Sequence, residues 1–357
     1  NHIRSLLDPV ETSRLAPVFE KVFRQLLKNE TVRSLRCFDG TLALALDAVW
    51  FHSSEAVHCK QCSTQQHKDG RTTYYHHAIT PTIVTPGSNR VICLQPQFIE
   101  PQDGAKKQDC ENTAAKRWLT GSGLSYVELG LTILGDDLYC NQPMCELLLE
   151  YGYNFVLTCK YTSHKYLAEW IDRADVKVDL NEHLEKHWDG KKRTFRRYRF
   201  ANGVPINGGD NPPLVNWMEL VILDDEGNER ARHVFVTNNE LTRDNVAAYI
   251  EVGRSRWKIE NEHNNILKTK GYNLEHNFGH GEKNLANLLL SINLLAFLIH
   301  TMLDLFDPRY SLIRKTLPRR DRFFNDFKAL TQYMLFDSCD ALMLFMLEGF
   351  DLEDPGG

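Results

Sequence analysis

Between Thr41 and Cys159 the hydrophobic pattern changes from one that only strands satisfy to one that alternates strand and helix, and this order restricts the fold more than any other feature. Thr41 to Ser53 (TLALALDAVWFHS) is apolar and β-prone, Tyr74 to Thr85 alternates β-formers, and Arg90 to Leu94 follows the turn signal Pro86-Gly87-Ser88-Asn89. Three such runs joined by turns predict an antiparallel meander. A helix over Lys107 to Leu119 is expected next, then a buried strand at Leu129 to Leu134, a helix at Pro143 to Tyr151 and a buried strand at Phe155 to Cys159. A meander followed by a strand-helix-strand unit belongs to an α/β protein with a mixed sheet flanked by helices.

The flanking segments read differently. Leu15, Val18, Phe19, Val22, Phe23, Leu26 and Leu27 recur at helical spacing, so residues 1–40 form an N-terminal helical segment. The start at Asn1, with Ile3, Leu6 and Leu7 already amphipathic, leads us to expect sequence upstream. Residues 41–160 form the first part of the core. Residues 161–236, with the loop Asn202 to Pro213 and strand-like runs at Trp217 to Leu223 and Arg232 to Val236, read as an inserted, mainly β subdomain. Within 237–280, Asn245 to Lys268 predicts one long helix capped by Thr242, and 281–357 is a helical region with segments at Leu285 to Leu305 and Arg322 to Leu347. Asn287, Ser291, Asn293, His300 and Asp304 interrupt the apolar run Leu285 to Leu305, which reads as a core helix rather than a membrane span.

Charge and cysteine usage narrow the partners. The net charge of −5 comes from 42 basic and 47 acidic side chains, so any nucleic-acid surface must be local. Nine cysteines, an odd number with no secretory leader, fit free thiols in a reducing cytoplasm.

Asp47 stands inside an apolar strand run, where an unpaired charge costs several kcal/mol. Asp136 follows a buried strand after Gly135, with Asp137 as a less favoured rival. Glu260 lies four residues after Arg256 on the expected long helix, so the two share a face. Carboxylates on a strand, a strand end and a helix can hold two hard divalent cations, Mg²⁺ or a substituting Mn²⁺, through oxygen. Taken without other knowledge, Asp136 reads as a loop-end residue and Glu260 as a solvated helix charge.

At these residues the sequence resembles the bacterial insertion-sequence DDE transposases whose third carboxylate lies in a Tyr-Arg-Glu-Lys helix signature. The resemblance rests on LALDAVWFHSS around Asp47, KKQDCENTAAKR from Lys106, LGDDLYCNQP around Asp136 and GRSRWKIENEHNNILKTKGYNLEH from Gly253. It implies an RNase H-like core, with Asp47, Asp136 and Glu260 as the metal-binding triad and Arg256 and Lys268 contacting DNA phosphates. It further implies cleavage and joining of DNA at the element's ends, a homodimer when DNA is bound, and residence with bacterial DNA in the cytoplasm. Three positions depart from the pattern. Ala48-Val49 stands where Gly-Thr is common, Gly253 stands where the signature tyrosine is expected, and Lys268 follows Glu260 by eight residues instead of seven. Glu262 or Lys270 could therefore share these roles. An inactive or repurposed DNA-binding relative is the alternative function.

Two further groups stand out. Cys59 and Cys62 form a CxxC pair beside His58 and His67, with His76-His77 further on, half of a standard zinc site for which a metal-free hairpin loop is the simpler reading. Lys191, Lys192, Arg193, Arg196, Arg197 and Arg199 place six positive charges in nine residues, with Phe195 and Tyr198 between them. That run can neutralise phosphates, and Trp188 and Trp217 are candidates for stacking on a displaced base, against a plain reading of Trp217 as core and the run as a solvated strand edge. No Ser-His-Asp grouping, P-loop or dinucleotide fingerprint is present.

Overall fold

A computed structural model of the chain describes residues 2–28, 34–101, 109–174, 180–188, 190, 192–276 and 278–356. Its strands are β1 Leu42–Ala45, β2 Ala48–Ser54, β3 Ser63–Gln66, β4 Thr72–Ile79, β5 Thr82–Val84, β6 Ile92–Cys93, β7 Gln97–Ile99, β8 Leu131–Gly135, β9 Asn154–Thr158, β10 Asn181–Trp188, β11 Arg193–Pro205, β12 Leu214–Leu223 and β13 Glu229–Thr237. The larger sheet runs β10-β11-β12-β13-β9-β8-β1-β5-β6. Its portion β6-β5-β1-β8-β9 is antiparallel from β6 to β1 and parallel from β1 to β9, the strand order of an RNase H-like core. The strands of the expected insert, β10 to β13, form an antiparallel meander whose last member pairs with β9, so they extend the core sheet.

Two of the expected strands are each broken in two. The run Thr41 to Ser53 leaves the large sheet after β1 and continues as β2 in a second sheet, β2-β4-β3, with β7 on β4. Its neighbour breaks at the matching place, between β4 and β5, where Pro81 offers no N–H to a ladder. Asp47 therefore sits at the seam between two sheets, with its carbonyl accepting the Thr80 N–H at 3.0 Å. The break takes Asp47 out of a strand interior, while burial still penalises its charge.

The helices are α1 His2–Leu7, α2 Ala16–Leu27, α3 Glu111–Thr120, α4 Gln142–Glu150, α5 Lys165–Ala174, α6 Val246–Arg254, α7 Asn265–Thr269, α8 Leu285–Phe306, α9 Pro308–Thr316, α10 Arg320–Tyr333 and α11 Cys339–Gly349. The start of the helix expected from Lys107 lies outside the described residues. Asn141 caps α4 by accepting the Met144 N–H, with Pro143 in the first turn. The single helix expected over Asn245 to Lys268 is instead α6, a 3₁₀ turn Ser255–Trp257, a π-helical segment Ile259–Asn264 and α7. Thr242 does not cap it: Asn245 holds that position and its side chain accepts the Thr242 N–H at 2.8 Å. The helix expected over Arg322 to Leu347 is likewise two, α10 and α11, the second capped by Ser338.

One apolar core joins the large sheet to α2, α3, α4, α6 and α8, while Tyr310, Ile313, Phe323, Met343 and Met346 form a smaller core among α9, α10 and α11. The 22-residue α8 is long and apolar enough by composition to cross a membrane, and here it buries Leu288, Leu294, Phe297 and Leu298.

Gly253 shows how closely α6 lies on the sheet. A Cβ there would come 2.8 Å from Val156 Cγ1 and 2.9 Å from the Phe235 ring, so a tyrosine at this position has no room. We expect Gly253→Ala to lower stability in urea denaturation, because overpacking costs about 1–3 kcal/mol and the helix-propensity gain of about 1 kcal/mol offsets only part of it. An unchanged midpoint would mean that α6 shifts away without penalty.

Candidate active site

The parallel register of β1 and β8 pairs Ala45 with Leu134, so Asp47 and Asp136 each stand two residues beyond that pair. Both strands end at the same edge of the sheet. Neighbouring strands lie about 4.8 Å apart, which brings the two aspartates side by side. Gly135 makes the turn possible, because a Cβ there would meet Tyr139 Cβ at 2.8 Å and Leu157 Cδ2 at 3.0 Å. The Asp136 carboxylate accepts the Leu138 N–H at 2.9 Å.

The neighbouring Asp137 is engaged elsewhere. Its two oxygens accept the Lys160 N–H at 2.6 Å and the Ser163 hydroxyl at 2.5 Å, and His164 lies 3.4 Å away. It anchors the turn after β9, which leaves Asp136 as the carboxylate at the sheet edge.

Glu260 comes from the π-helical segment, where Arg256 donates to it at 3.0 Å. The same segment reaches Asp47 directly: Asn264 donates its amide to Asp47 at 3.1 Å, while the Asn264 carbonyl lies 2.9 Å from His263 Nδ1. Burial fixes His263 as a neutral ring, with its pKa lowered to about 4. π-segments recur at functional sites, and a π turn takes about one residue more than an α turn. The step of eight from Glu260 to Lys268 therefore covers what seven residues span in a regular helix. Lys268 pairs with Glu275 at 2.9 Å. Glu262 lies beside Lys258 and lines a surface cavity with Lys270, Arg319 and Arg320, apart from the aspartates.

A fourth carboxylate joins the group. Glu111, in the first turn of α3, accepts the Tyr139 hydroxyl at 2.7 Å. Burial raises the pKa of Glu111, with the Tyr139 hydrogen bond opposing and Asp136 adding to the rise. Asp47 is raised to about 7, first by burial and then by Glu111, with Arg256 opposing and Glu260 and Asp136 reinforcing. Asp47, Glu111, Asp136 and Glu260 thus crowd negative charge into one partly desolvated place. The sequence gives little sign of Glu111, since an acid in a first helical turn ordinarily complements the helix dipole. A cluster of hard oxygen donors at this charge density suits a divalent cation.

Beside Arg256 opens a cavity of ≈ 560 Å³ lined by Lys160, Tyr161, Arg232, Arg254 and Trp257. Of these, Lys160, Arg254 and the exposed Trp257 are further candidates for a phosphate-binding wall.

The basic run is less uniform than its spacing suggested. Lys191 lies outside the described residues, Lys192 and Arg193 are exposed, and Arg196 and Arg197 are half-buried on β11. Alternation along the strand puts Arg196 on the face opposite Arg193, Arg197 and Arg199. Arg199 is held inside the protein by Glu219 at 3.4 Å and Glu182 at 3.7 Å. Trp188 is exposed at the end of the edge strand β10, but Trp217 is fully buried in β12 and has no face to offer a base. The proposed zinc ligands also change. His58 stacks on Tyr74 at 4.2 Å and His67 bonds Thr73 at 2.8 Å, whereas His76 and His280 come to the two cysteines.

The family model described as "Transposase DDE domain" matches residues 32–298. No curated protein matches the chain. The matched span covers the RNase H-like sheet from before β1, the seam with Asp47, the end of β8, the π-segment and most of α8, and the chain belongs to the transposase DDE domain family of the insertion-sequence type.

Proposed function

We propose that the chain cleaves DNA at the ends of an insertion sequence and joins the freed 3′ ends to target DNA, using divalent metal held by Asp47, Asp136 and Glu260. The observation that carries this reading is the meeting of those three carboxylates at one sheet edge, with Asp47 raised to about 7 by burial and by its acidic neighbours. Two Mg²⁺ ions bound there would stabilise the attacking and leaving oxygens of an in-line displacement at phosphorus. Asn264 orients Asp47, Arg256 holds Glu260 from one side, and Tyr139 keeps Glu111 in place. Arg256, Lys160 and Arg254 form a basic wall beside the carboxylates, suited to the phosphates that flank a scissile bond. Lys192, Arg193, Arg197 and Trp188 offer a second contact surface for the element's ends, with Arg196 on the opposite face of β11, and pairing two ends calls for at least two copies of the chain.

The test is cleavage of labelled DNA carrying the element's own ends, with Mg²⁺ or Mn²⁺ and then with EDTA. Metal-dependent nicking followed by strand-transfer product supports the proposal; binding of the ends with no cleavage under any metal condition would overturn it.

The charge crowding predicts a pH effect in the metal-free chain. Asp47 holds its proton more tightly folded than unfolded, since its pKa is about 7 against an ordinary 3.8. At this site the unfolded state therefore binds fewer protons over that interval, and the stability contributed by Asp47 falls as pH rises from about 4 to about 7, then levels off. In EDTA the melting temperature of the wild type is expected to fall more over that interval than that of Asp47→Asn, and Mg²⁺ to narrow the difference. Identical profiles for the metal-free wild type and Asp47→Asn would contradict the crowding.

A further inference from the structure

Away from the carboxylates, four side chains converge that the transposase chemistry does not use. Cys59 Sγ and Cys62 Sγ are 4.0 Å apart. His76 Nε2 lies 3.5 Å from the first and 3.4 Å from the second, and His280 Nε2 lies 3.3 Å from Cys62 Sγ and 3.1 Å from His76 Nε2. All four ligand atoms fall within 4.8 Å of one another. A tetrahedral zinc ion with Zn–S of about 2.3 Å and Zn–N of about 2.0–2.1 Å sets edges of about 3.8 Å between sulfurs, 3.5 Å between sulfur and nitrogen and 3.4 Å between nitrogens. The observed separations follow that pattern.

The surroundings are those of a built site. His280 Nδ1 lies 2.9 Å from the Gly281 carbonyl, a bond that puts the ring proton on Nδ1 and leaves the Nε2 lone pair facing the cysteines. The Cys59 N–H points to Cys62 Sγ and the Gln61 N–H to Cys59 Sγ, each at 3.4 Å, an arrangement that favours thiolates. The loop carrying His280 is fixed independently by Asp8, whose carboxylate accepts the N–H groups of Glu282, Lys283 and Leu285 at 3.1 Å each. Gly281 has φ +70, and a Cβ there would fall 2.2 Å from Asp8 Oδ1, so the loop admits only glycine. Cys62, His76 and His280 are buried.

We propose that Cys59, Cys62, His76 and His280 bind one structural zinc ion. Binding forms two Zn–S and two Zn–N bonds and releases the two thiol protons to solvent, with no change in oxidation state. With all four positions filled by protein, the ion has no open site for a substrate and acts as a clasp. It ties the CxxC loop and β4, in the sheet whose first strand begins just after Asp47, to the segment entering α8. The closed loop between Cys62 and His280 spans 218 residues, so the clasp restrains a large part of the unfolded chain.

The full chain, purified without chelator and with its thiols reduced, is expected to hold one zinc per chain by elemental analysis. After stripping, it should take up one equivalent of Co²⁺ and show thiolate-to-metal charge-transfer absorption. His280→Asn and Cys59→Ser should each lose the ion, while His58→Asn and His67→Asn should keep it. None of these readouts depends on DNA cleavage. Reduced wild type that takes up no zinc overturns the assignment, and so does a cobalt complex without thiolate bands. Loss of the ion in His67→Asn with retention in His280→Asn would overturn the ligand set.

Discussion

Asp136→Asn is expected to lower DNA nicking on the order of a thousandfold while the fold and the affinity for DNA ends stay close to wild type. Asparagine keeps the shape of the side chain and an oxygen to accept the Leu138 N–H, so the turn after β8 survives. What disappears is one negative charge in the cluster with Asp47 and Glu111. Metal-borne stabilisation of the transition state amounts to several kcal/mol, and each 1.36 kcal/mol is about a factor of ten in rate. The adjacent aspartate provides the control. Asp137→Asn weakens the Lys160 and Ser163 contacts that hold the turn after β9, so it should lower thermal stability and leave nicking within about tenfold. Single-turnover cleavage and thermal melts of the two variants separate these roles. An active Asp136→Asn beside an inactive Asp137→Asn would move the site to the second residue.

The sequence carried most of the strand-and-helix order because the buried runs at β1, β8 and β9 are short, apolar and bounded by turn residues. It carried less where two sheets share one run. Thr41 to Ser53 reads as continuous because both halves are β-prone, and only Asp47 and the opposing Pro81 mark the seam. The π-segment was equally hidden, since its residues keep a helical pattern; its trace was the one-residue excess between Glu260 and Lys268. His280 lies 218 residues from Cys62, and no local spacing could connect them. The CxxC pair was visible, but the nearest histidines in sequence were the wrong ones, because alternation along β4 turns His76 toward the cysteines while His67 bonds across its own hairpin. Trp217 shows the limit of counting aromatics beside basic residues: β12 lies inside the sheet, and only burial distinguishes its tryptophan from the exposed one on β10.

Glu219→Ala should be strongly destabilising, costing about 3–5 kcal/mol, the range for removing one partner of a buried ion pair. Glu219 is fully buried in β12, with Arg232 and Arg199 donating to it from the neighbouring strands and the Tyr161 hydroxyl adding a bond at 2.9 Å. The cross-strand register places Arg199 directly opposite Glu219 on β11, which is why a residue that reads as part of a DNA-binding run is turned to an internal partner. Alanine removes a carboxylate that both guanidiniums share and opens a cavity beneath them. Arg232 keeps Glu229, and Arg199 keeps Glu182 on the edge strand, so neither is fully stranded and the lower half of the range is the better expectation. Glu219→Gln retains the shape and the Tyr161 contact but not the charge, and should lie between wild type and alanine. Urea denaturation of the three proteins gives the ordering directly. A loss below about 1 kcal/mol for the alanine variant would put the pair in the range of solvent-exposed ion pairs and overturn this reading.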